Sequence, residues 1–354
     1  MAASSRVLFI GLTTSALLLG TAGSNWAQNE LDLSFHAFQD SRAVTVLSPE
    51  VEFNRDVTDR TAVKVKFGVD AISAASDSCV RCHRGGTSDG RVDLNLSVVR
   101  KYGDTKVTAG GEFSRELFYR ATTALASVSR DLNHSNTTVA AGFSYSLNQP
   151  MLHPDKVFKT QQSYDGFASV TQSWTKRTVT QVGYELNQIN GFQSNPFLRT
   201  VVDGNRLVGN APDARTRHAL TARLRQALPA NTFLDADYRY YHDNWAIYSN
   251  AVSVGLSHHF GDRIVGGASY RRYNQTAAFF YAPSYTGNPQ YITGDFRLFP
   301  FDSNMATARL ELTPKHGVFG MPAGSSLSLQ YERYSATTGF QAGVLSGGVR
   351  IPLK

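Results

Sequence analysis

The stretch TRHALTARLRQALPANTFLDADYRYY, Thr216 to Tyr241, decides the fold. In its first half one parity carries Ala219, Thr221, Arg223 and Arg225, and the other carries Leu220, Ala222, Leu224 and Leu228. After the ALPAN turn the alternation resumes. Asp235, Asp237 and Arg239 share one face, and Leu234, Ala236, Tyr238 and Tyr240 share the other. A period of two marks a β-strand whose faces meet different surroundings. The polar face is charged, with arginines on one segment and aspartates on the next. Folded as a hairpin, these form a ladder of opposite charges, which suits a wet lumen. The opposite face, rich in Leu and Tyr, suits lipid.

The same pattern runs outward in both directions. TQVGYELNQ sets Val182, Tyr184 and Leu186 against Gln181, Gly183, Glu185 and Asn187. VTVLSPEVEF, AVKVKFGVDA, RVDLNLSVV, TVAAGFSYSL, NAVSVGLSHHF, RIVGGASYRRY and MATARLELT repeat it. Short turns (YGDT, NHSN, WTKRT, ALPAN, FGDR) are interleaved with long loops near residues 74–90, 149–163, 190–214 and 277–295. This layout predicts an all-β fold: a transmembrane antiparallel β-barrel of about 16 strands, with short periplasmic turns and long extracellular loops. The strands run from LDLSFHAF to QAGVLSGGVRI. The chain closes on IPLK rather than a terminal aromatic, which leaves the last strand's register the least determined.

Composition agrees with export. Arg6 precedes the apolar run VLFIGLTTSALLLG, and small residues follow, so residues 1–27 read as a signal peptide and 28–354 as one barrel domain. No later apolar run approaches the roughly 18 residues of a spanning helix. The net charge of +7 is spread along the chain, with no basic run that would call for nucleic acid. Aromatics at 11% with 29 Gly and only 2 Cys fit a β-rich exported protein. The expected location is the Gram-negative outer membrane, with its lipid as a partner.

Both cysteines lie in DAISAASDSCVRCHRGG, Asp70 to Gly86. Cys79, Cys82 and His83 form C-x-x-C-H, the attachment pattern of a c-type haem. Two thiols at that spacing can join the two vinyl groups of one haem, and His83 then stands as proximal iron ligand. A Cys79–Cys82 disulfide satisfies the same residues in an oxidising compartment, and a zinc site satisfies them less well because there is no second cysteine pair. For the distal iron position the candidate is His153 in MLHPDK, with Met151, His36 and His242 as further options. His134, His258, His259 and His316 fall near short turns, at the opposite end.

Asp70 to Ser76, DAISAAS, resembles the flavinylation signature D-x-x-S-G-A-S/T, in which a transferase couples FMN through its phosphate to the last hydroxyl. That resemblance implies Ser76 as acceptor and Asp70 as the leading acid, with Ala74 standing where glycine is usual. GVDAISAAS, GFQSNPFLRTV, TRHALTARLRQALP, DYRYYHDNW and QYERY together resemble an uncharacterised family of outer-membrane β-barrels carrying a domain of unknown function. The likeness covers most of the chain after the signal. It implies extracytoplasmic redox work, because genes of that family commonly lie beside those of a flavin transferase and a thioredoxin-like protein. C-x-x-C-H does not define the family, so the haem would belong to this branch.

These observations lead to an outer-membrane barrel with a covalent c-type haem, and FMN on Ser76, that transfers electrons with periplasmic redox carriers. Its maturation would require haem-attachment machinery and a flavin transferase. The alternative is a plain porin or transport channel with a disulfide-pinned loop, whose lumen residues Arg223, Arg225, Asp235, Asp237 and Arg239 set solute selectivity. A lipid hydrolase finds no support, because no nucleophile elbow or Ser/His/Asp spacing is present.

Overall fold

The computed structural model describes residues 29–74, 87–152, 156–315 and 320–353. The expected signal segment therefore lies outside the described residues. In chain order the strands are β1 (Glu30–Asp40), β2 (Val44–Thr58), β3 (Thr61–Ala74), β4 (Thr87–Tyr102), β5 (Thr105–Arg115), β6 (Tyr119–Leu132) and β7 (Thr137–Leu152). Then come β8 (Val157–Phe158), β9 (Gln161–Ser173), β10 (Thr178–Gly191), β11 (Arg199–Val202), β12 (Asn205–Val208) and β13 (Ala214–Leu228). The remainder are β14 (Thr232–Asp243), β15 (Tyr248–Phe260), β16 (Ile264–Gln275), β17 (Phe301–Leu312), β18 (Ser326–Ala336) and β19 (Gln341–Pro352). β8 pairs antiparallel with the last two residues of β7, and β11 and β12 form a hairpin within a loop.

The other strands form a closed 16-stranded antiparallel barrel, as the alternation predicts. Closure is made by β1 and β19, paired from Glu30↔Pro352 to Asp40↔Ala342. The last strand thus has a full register without a terminal aromatic. Closure matters because an unpaired backbone group in hydrocarbon costs several kcal/mol, and a barrel has no edge.

The two parities separate cleanly. Leu33, Phe35, Val51, Phe67, Leu94, Leu96, Val182, Leu220, Val252, Leu256 and Leu310 all lie on the outer face, and each is exposed. A soluble protein does not bare a continuous apolar belt, whereas a membrane barrel requires one. The inner face carries ion pairs: Lys66 Nζ lies 2.9 Å from Glu50, Arg223 Nε 3.2 Å from Asp237 and Arg225 Nε 3.7 Å from Asp235. Among the described residues no helix is long and apolar enough to cross a membrane. The strands do so instead, through a closed barrel with an apolar outer face.

The ends differ as expected. The YGDT and FGDR turns place Gly103 (φ 59°) and Gly261 (φ 69°) in the left-handed region, where a two-residue hairpin needs glycine or asparagine. One connection at this end departs from the expectation of short turns. β17 ends at Leu312 and β18 starts at Ser326, and Pro314, Pro322 and Gly324 in between cannot continue either ladder. At the other end β3 extends to Ala74 and β4 begins at Thr87, in register with each other. The connection read as 74–90 is therefore narrower, residues 75–86.

Two long connections at that end, 192–213 and 276–300, pack together above the mouth. Val202, Tyr285 and Ile292 form one small core, and Ala211, Trp245, Ile247, Ala278, Phe280 and Leu298 form another. The Tyr285 hydroxyl accepts from the backbone N–H of Thr293 at 3.0 Å and of Ala282 at 3.2 Å, and donates to the Phe280 carbonyl at 3.0 Å. Asn210 and Ile292 exchange backbone hydrogen bonds of 2.8 and 2.9 Å. Edge contacts tie this layer to separate parts of the rim. Phe197 meets Phe118 in the β5–β6 turn, with ring centres 5.2 Å apart, and Phe296 lies 4.5 Å beneath the Arg42 guanidinium from the β1–β2 turn. Tertiary burial, not local periodicity, builds this roof.

Candidate functional site

Residues 75–86 join β3 to β4, and the ends of these two strands can be described. Asp70 is on the inward parity of β3 and is 2% exposed. Arg91 of β4 stands directly opposite it. Its Nε donates to Asp93 Oδ1 at 2.7 Å and to Ser114 Oγ at 2.9 Å, which ties β4 to β5. Two residues further, in the β5–β6 turn, Glu116 continues the inward parity and is 6% exposed. Burial pushes its carboxyl up to about 7; Arg91 pulls the other way, and Asp89 and Asp70 push it further up. One guanidinium thus organises several carboxyl groups at the foot of the connection, and one of them is poised to hold a proton near neutrality.

Cys79, Cys82, His83 and Ser76 lie outside the described residues, and so does His153. Asp70 lies within them, as a buried wall carboxylate beside Arg91. Two of the other distal candidates are engaged elsewhere. His36 is in the lumen wall, its Nδ1 2.8 Å from Ser346 Oγ and its Nε2 3.7 Å from Glu50. His242 faces outward, stacked on His218 with ring centres 4.7 Å apart, and is turned away from the mouth. Met151 is on the outward parity of β7, opposite Phe158. Among the described residues there is no grouping of three His, Cys, Asp or Glu that could hold a metal ion.

The lumen residues named from the sequence come together on β13 and β14. Arg223 and Asp237 are direct register partners, as are Arg225 and Asp235. Arg239 instead crosses β13 and donates to Glu185 Oε2 of β10 at 2.7 Å. Above them sits a network that the sequence reading missed. The Asp243 side chain is fully buried and accepts from Arg215 Nε at 2.8 Å, from the Tyr241 hydroxyl at 2.6 Å, and from the backbone N–H of Trp245 and Ile247 at 2.9 and 3.0 Å. The Arg215 guanidinium lies 4.2 Å from the centre of the Trp245 ring. A signal was present, since Asp243 continues the charged parity 235, 237, 239 in DYRYYHDNW.

On the side facing β6, β7 and β9 the lumen wall changes character. Thr123, Ser144, Ser146, Asn148, Ser163 and Ser169 supply hydroxyls and amides, and Thr123 and Ser146 join across strands at 2.8 Å. The lumen therefore has a mixed-charge arc on β13, β14 and β16, where Arg223, Arg225, Arg239 and Arg271 alternate with Asp235, Asp237 and Asp243, a hydroxyl- and amide-rich arc, and a carboxylate-rich arc on β1 to β5. The last ends at the foot of connection 75–86.

Residues 151–348 match the family described as "Protein of unknown function (DUF3570)". No curated protein matches the chain. Among solved structures, a ferric enterobactin receptor (PfeA) mutant from Pseudomonas aeruginosa aligns with 88% of this chain and 54% of its own at 12% identity and a TM-score of 0.46. The outer membrane protein OpdK from the same organism aligns with 93% of this chain and 98% of its own at 8% identity and a TM-score of 0.48. The siderophore receptor PirA, also from P. aeruginosa, aligns with 88% of this chain and 57% of its own at 15% identity and a TM-score of 0.47. The chain spans little more than half the length of the two receptors. The family match covers more than half of the chain, and the protein belongs to the DUF3570 family of proteins of unknown function.

Proposed function

We propose that this barrel carries a covalent c-type haem on the connection between β3 and β4 and exchanges electrons at the cell-surface mouth of the outer membrane. One observation carries the reading: the only two cysteines of the chain stand as C-x-x-C-H on a single connection at the long-loop end. Haem would supply one-electron chemistry there, with Cys79 and Cys82 as its thioether anchors and His83 as its proximal ligand. Of the residues at the foot, Glu116 suits such a group. Arg91 is already paired with Asp93 and Ser114, and the Glu116 carboxyl, which burial raises to about 7, can take up or release a proton as nearby charge changes. The lumen wall below is polar and carries the partly solvated Arg223–Asp237 and Arg225–Asp235 pairs. FMN on Ser76 is the second part of the proposal. For Asp70 the foot geometry also provides a purely structural role, as the buried wall partner facing Arg91.

A second reading is favoured by a specific observation, the uneven distribution of lumen charge between a carboxylate-rich wall on β1 to β5 and a mixed-charge wall of paired arginines and aspartates on β13 and β14. In it the protein is a diffusion channel whose 75–86 connection is pinned by a Cys79–Cys82 disulfide. One gel separates the two. Outer-membrane protein co-expressed with haem-attachment machinery, denatured and stained for haem peroxidase activity, should stain at its own mass. No stain, together with a Cys79–Cys82 bond in non-reducing mass spectrometry, selects the channel. In-gel flavin fluorescence that survives Cys79→Ala but is lost in Ser76→Ala reports the FMN independently.

A further inference from the structure

On the outer face, at the long-loop end, β5 and β6 finish with two arginines in direct opposition, Arg115↔Arg120. Their parity is the lipid-facing one: Phe113 precedes Arg115 by two residues, and Val128 lies on the Arg120 face of β6, both exposed. Like charges directly opposite across a ladder repel, and no described carboxylate pairs with either arginine. Arg120 is held in place by stacking, its guanidinium carbon 4.3 Å from the centre of the Phe158 ring. Its Nε is buried and has no hydrogen-bond partner. Phe158 covers that edge of the guanidinium, so a ligand can reach it only on the terminal nitrogens. Lys156 and Lys159, both exposed, flank the same β8 extension. The carboxylates beside them on the rim, Glu116 and Asp89, are both on the inward parity, and Asp89 Oδ1 accepts from the Leu117 backbone N–H at 3.3 Å.

The surroundings narrow the ligand. Leu117 at 59% and Val157 at 50% exposure stand beside the arginines on the outer surface, where water would be a poor neighbour and acyl chains a good one. Planar guanidinium groups match phosphate in a bidentate fashion. A paired arginine site with apolar flanks, at the level where the barrel leaves the hydrocarbon, fits a ligand with a phosphate on a sugar headgroup and acyl chains below. We propose that the outer rim of β5, β6 and β8 binds a phosphate of a lipid A-type glycolipid in the outer leaflet, with Arg115 and Arg120 as its ligands. The proposal rests on the membrane location of the barrel and is independent of the haem.

The test uses the full-length protein in detergent and native mass spectrometry with three probes: bisphosphorylated lipid A, dephosphorylated lipid A and inorganic phosphate. Wild-type protein should retain bisphosphorylated lipid A at least tenfold more tightly than the dephosphorylated form. Inorganic phosphate at equal concentration should not displace it. The pair Arg115→Gln with Arg120→Gln should lose that tenfold preference, and Arg115→Lys with Arg120→Lys should keep only part of it, since lysine retains the charge but not the bidentate fork. Heat-modifiable migration confirms that each variant is a folded barrel. Equal retention of the two lipids by wild-type protein overturns the proposal without any variant. Displacement by inorganic phosphate as effective as by lipid A overturns the lipid assignment, and a Gln pair that binds like wild type overturns the residue assignment.

Discussion

Replacing Asp243 by alanine should open the roof without opening the barrel. The carboxylate is fully buried, and its loss leaves Arg215, whose side chain is 10% exposed, as an uncompensated buried cation. Breaking one partner of a buried ion pair costs roughly 3–5 kcal/mol. The four acceptor contacts to Arg215, Tyr241, Trp245 and Ile247 give a sum of the same order, since bonds to a charged group are worth about 1.5–3 kcal/mol each and share one desolvation cost. Trp245 and Ile247 belong to the apolar cluster that includes Ala278, Phe280 and Leu298, so the loss is felt in the connection 276–300. The ladder pairs further down the wall are untouched. In hydrogen exchange, backbone amides of 192–213 and 276–300 should open about a hundred- to several-thousand-fold more often, at about 1.4 kcal/mol per factor of ten. Amides of β2 to β6 should remain as in wild type. The double variant Arg215→Met with Asp243→Leu should recover only the part of the protection lost to the uncompensated Arg215 charge, because the Trp245 and Ile247 N–H groups and the Tyr241 hydroxyl still lack their acceptor. Exchange in the Asp243→Ala roof within threefold of wild type would refute the reasoning.

Other consequences are equally specific. Glu116 binds its proton more tightly when folded, since burial and its acidic neighbours raise it from 4.5 to about 7. The stability this contributes is fully present below about pH 4.5 and is lost as pH rises through about 7, about 3 kcal/mol in all. Glu116→Gln, neutral throughout, should flatten the pH dependence of urea unfolding in that window, and a variant with the wild-type slope would contradict it. Gly294 has no room for a side chain, because a Cβ there would lie 2.1 Å from the Arg199 carbonyl oxygen. Gly294→Ala should therefore cost about 1–3 kcal/mol of roof packing, read as faster proteolysis within 192–213. Arg223→Ala with Arg225→Ala should change barrel stability by less than about 1 kcal/mol per pair, because both pairs are solvated. In planar bilayers the same variant should shift reversal potentials towards cation selectivity, and an unchanged selectivity would remove these residues from the conducting path.

Much of this could be read from the chain before any coordinates. The alternation in Thr216–Tyr241 assigned Arg223, Arg225, Asp235 and Asp237 to the lumen, because period two alone decides which face a strand residue takes. Strand number followed from the same period, interrupted by turn residues. The roof was not legible, since the contacts of Phe197 with Phe118 and of Arg42 with Phe296 join residues far apart in sequence, with no shared periodicity. Arg239 shows the limit at closer range. Its face was correct, yet its partner, Glu185, sits two strands away because the guanidinium reaches across Thr221. Asp243 was missed for a related reason: a fully buried carboxylate at a strand end looks like any polar turn residue until its backbone donors are in place.

The central claim is that the β3–β4 connection bears haem on its own cysteines. The most direct measurement is the visible spectrum and intact mass of the denatured protein, purified from outer membranes after co-expression with haem-attachment machinery, beside Cys79→Ala with Cys82→Ala. The account predicts one haem covalently retained by the wild type, with c-type absorption after unfolding, and none in the variant. A wild-type protein that carries no added mass and shows a Cys79–Cys82 disulfide would contradict it.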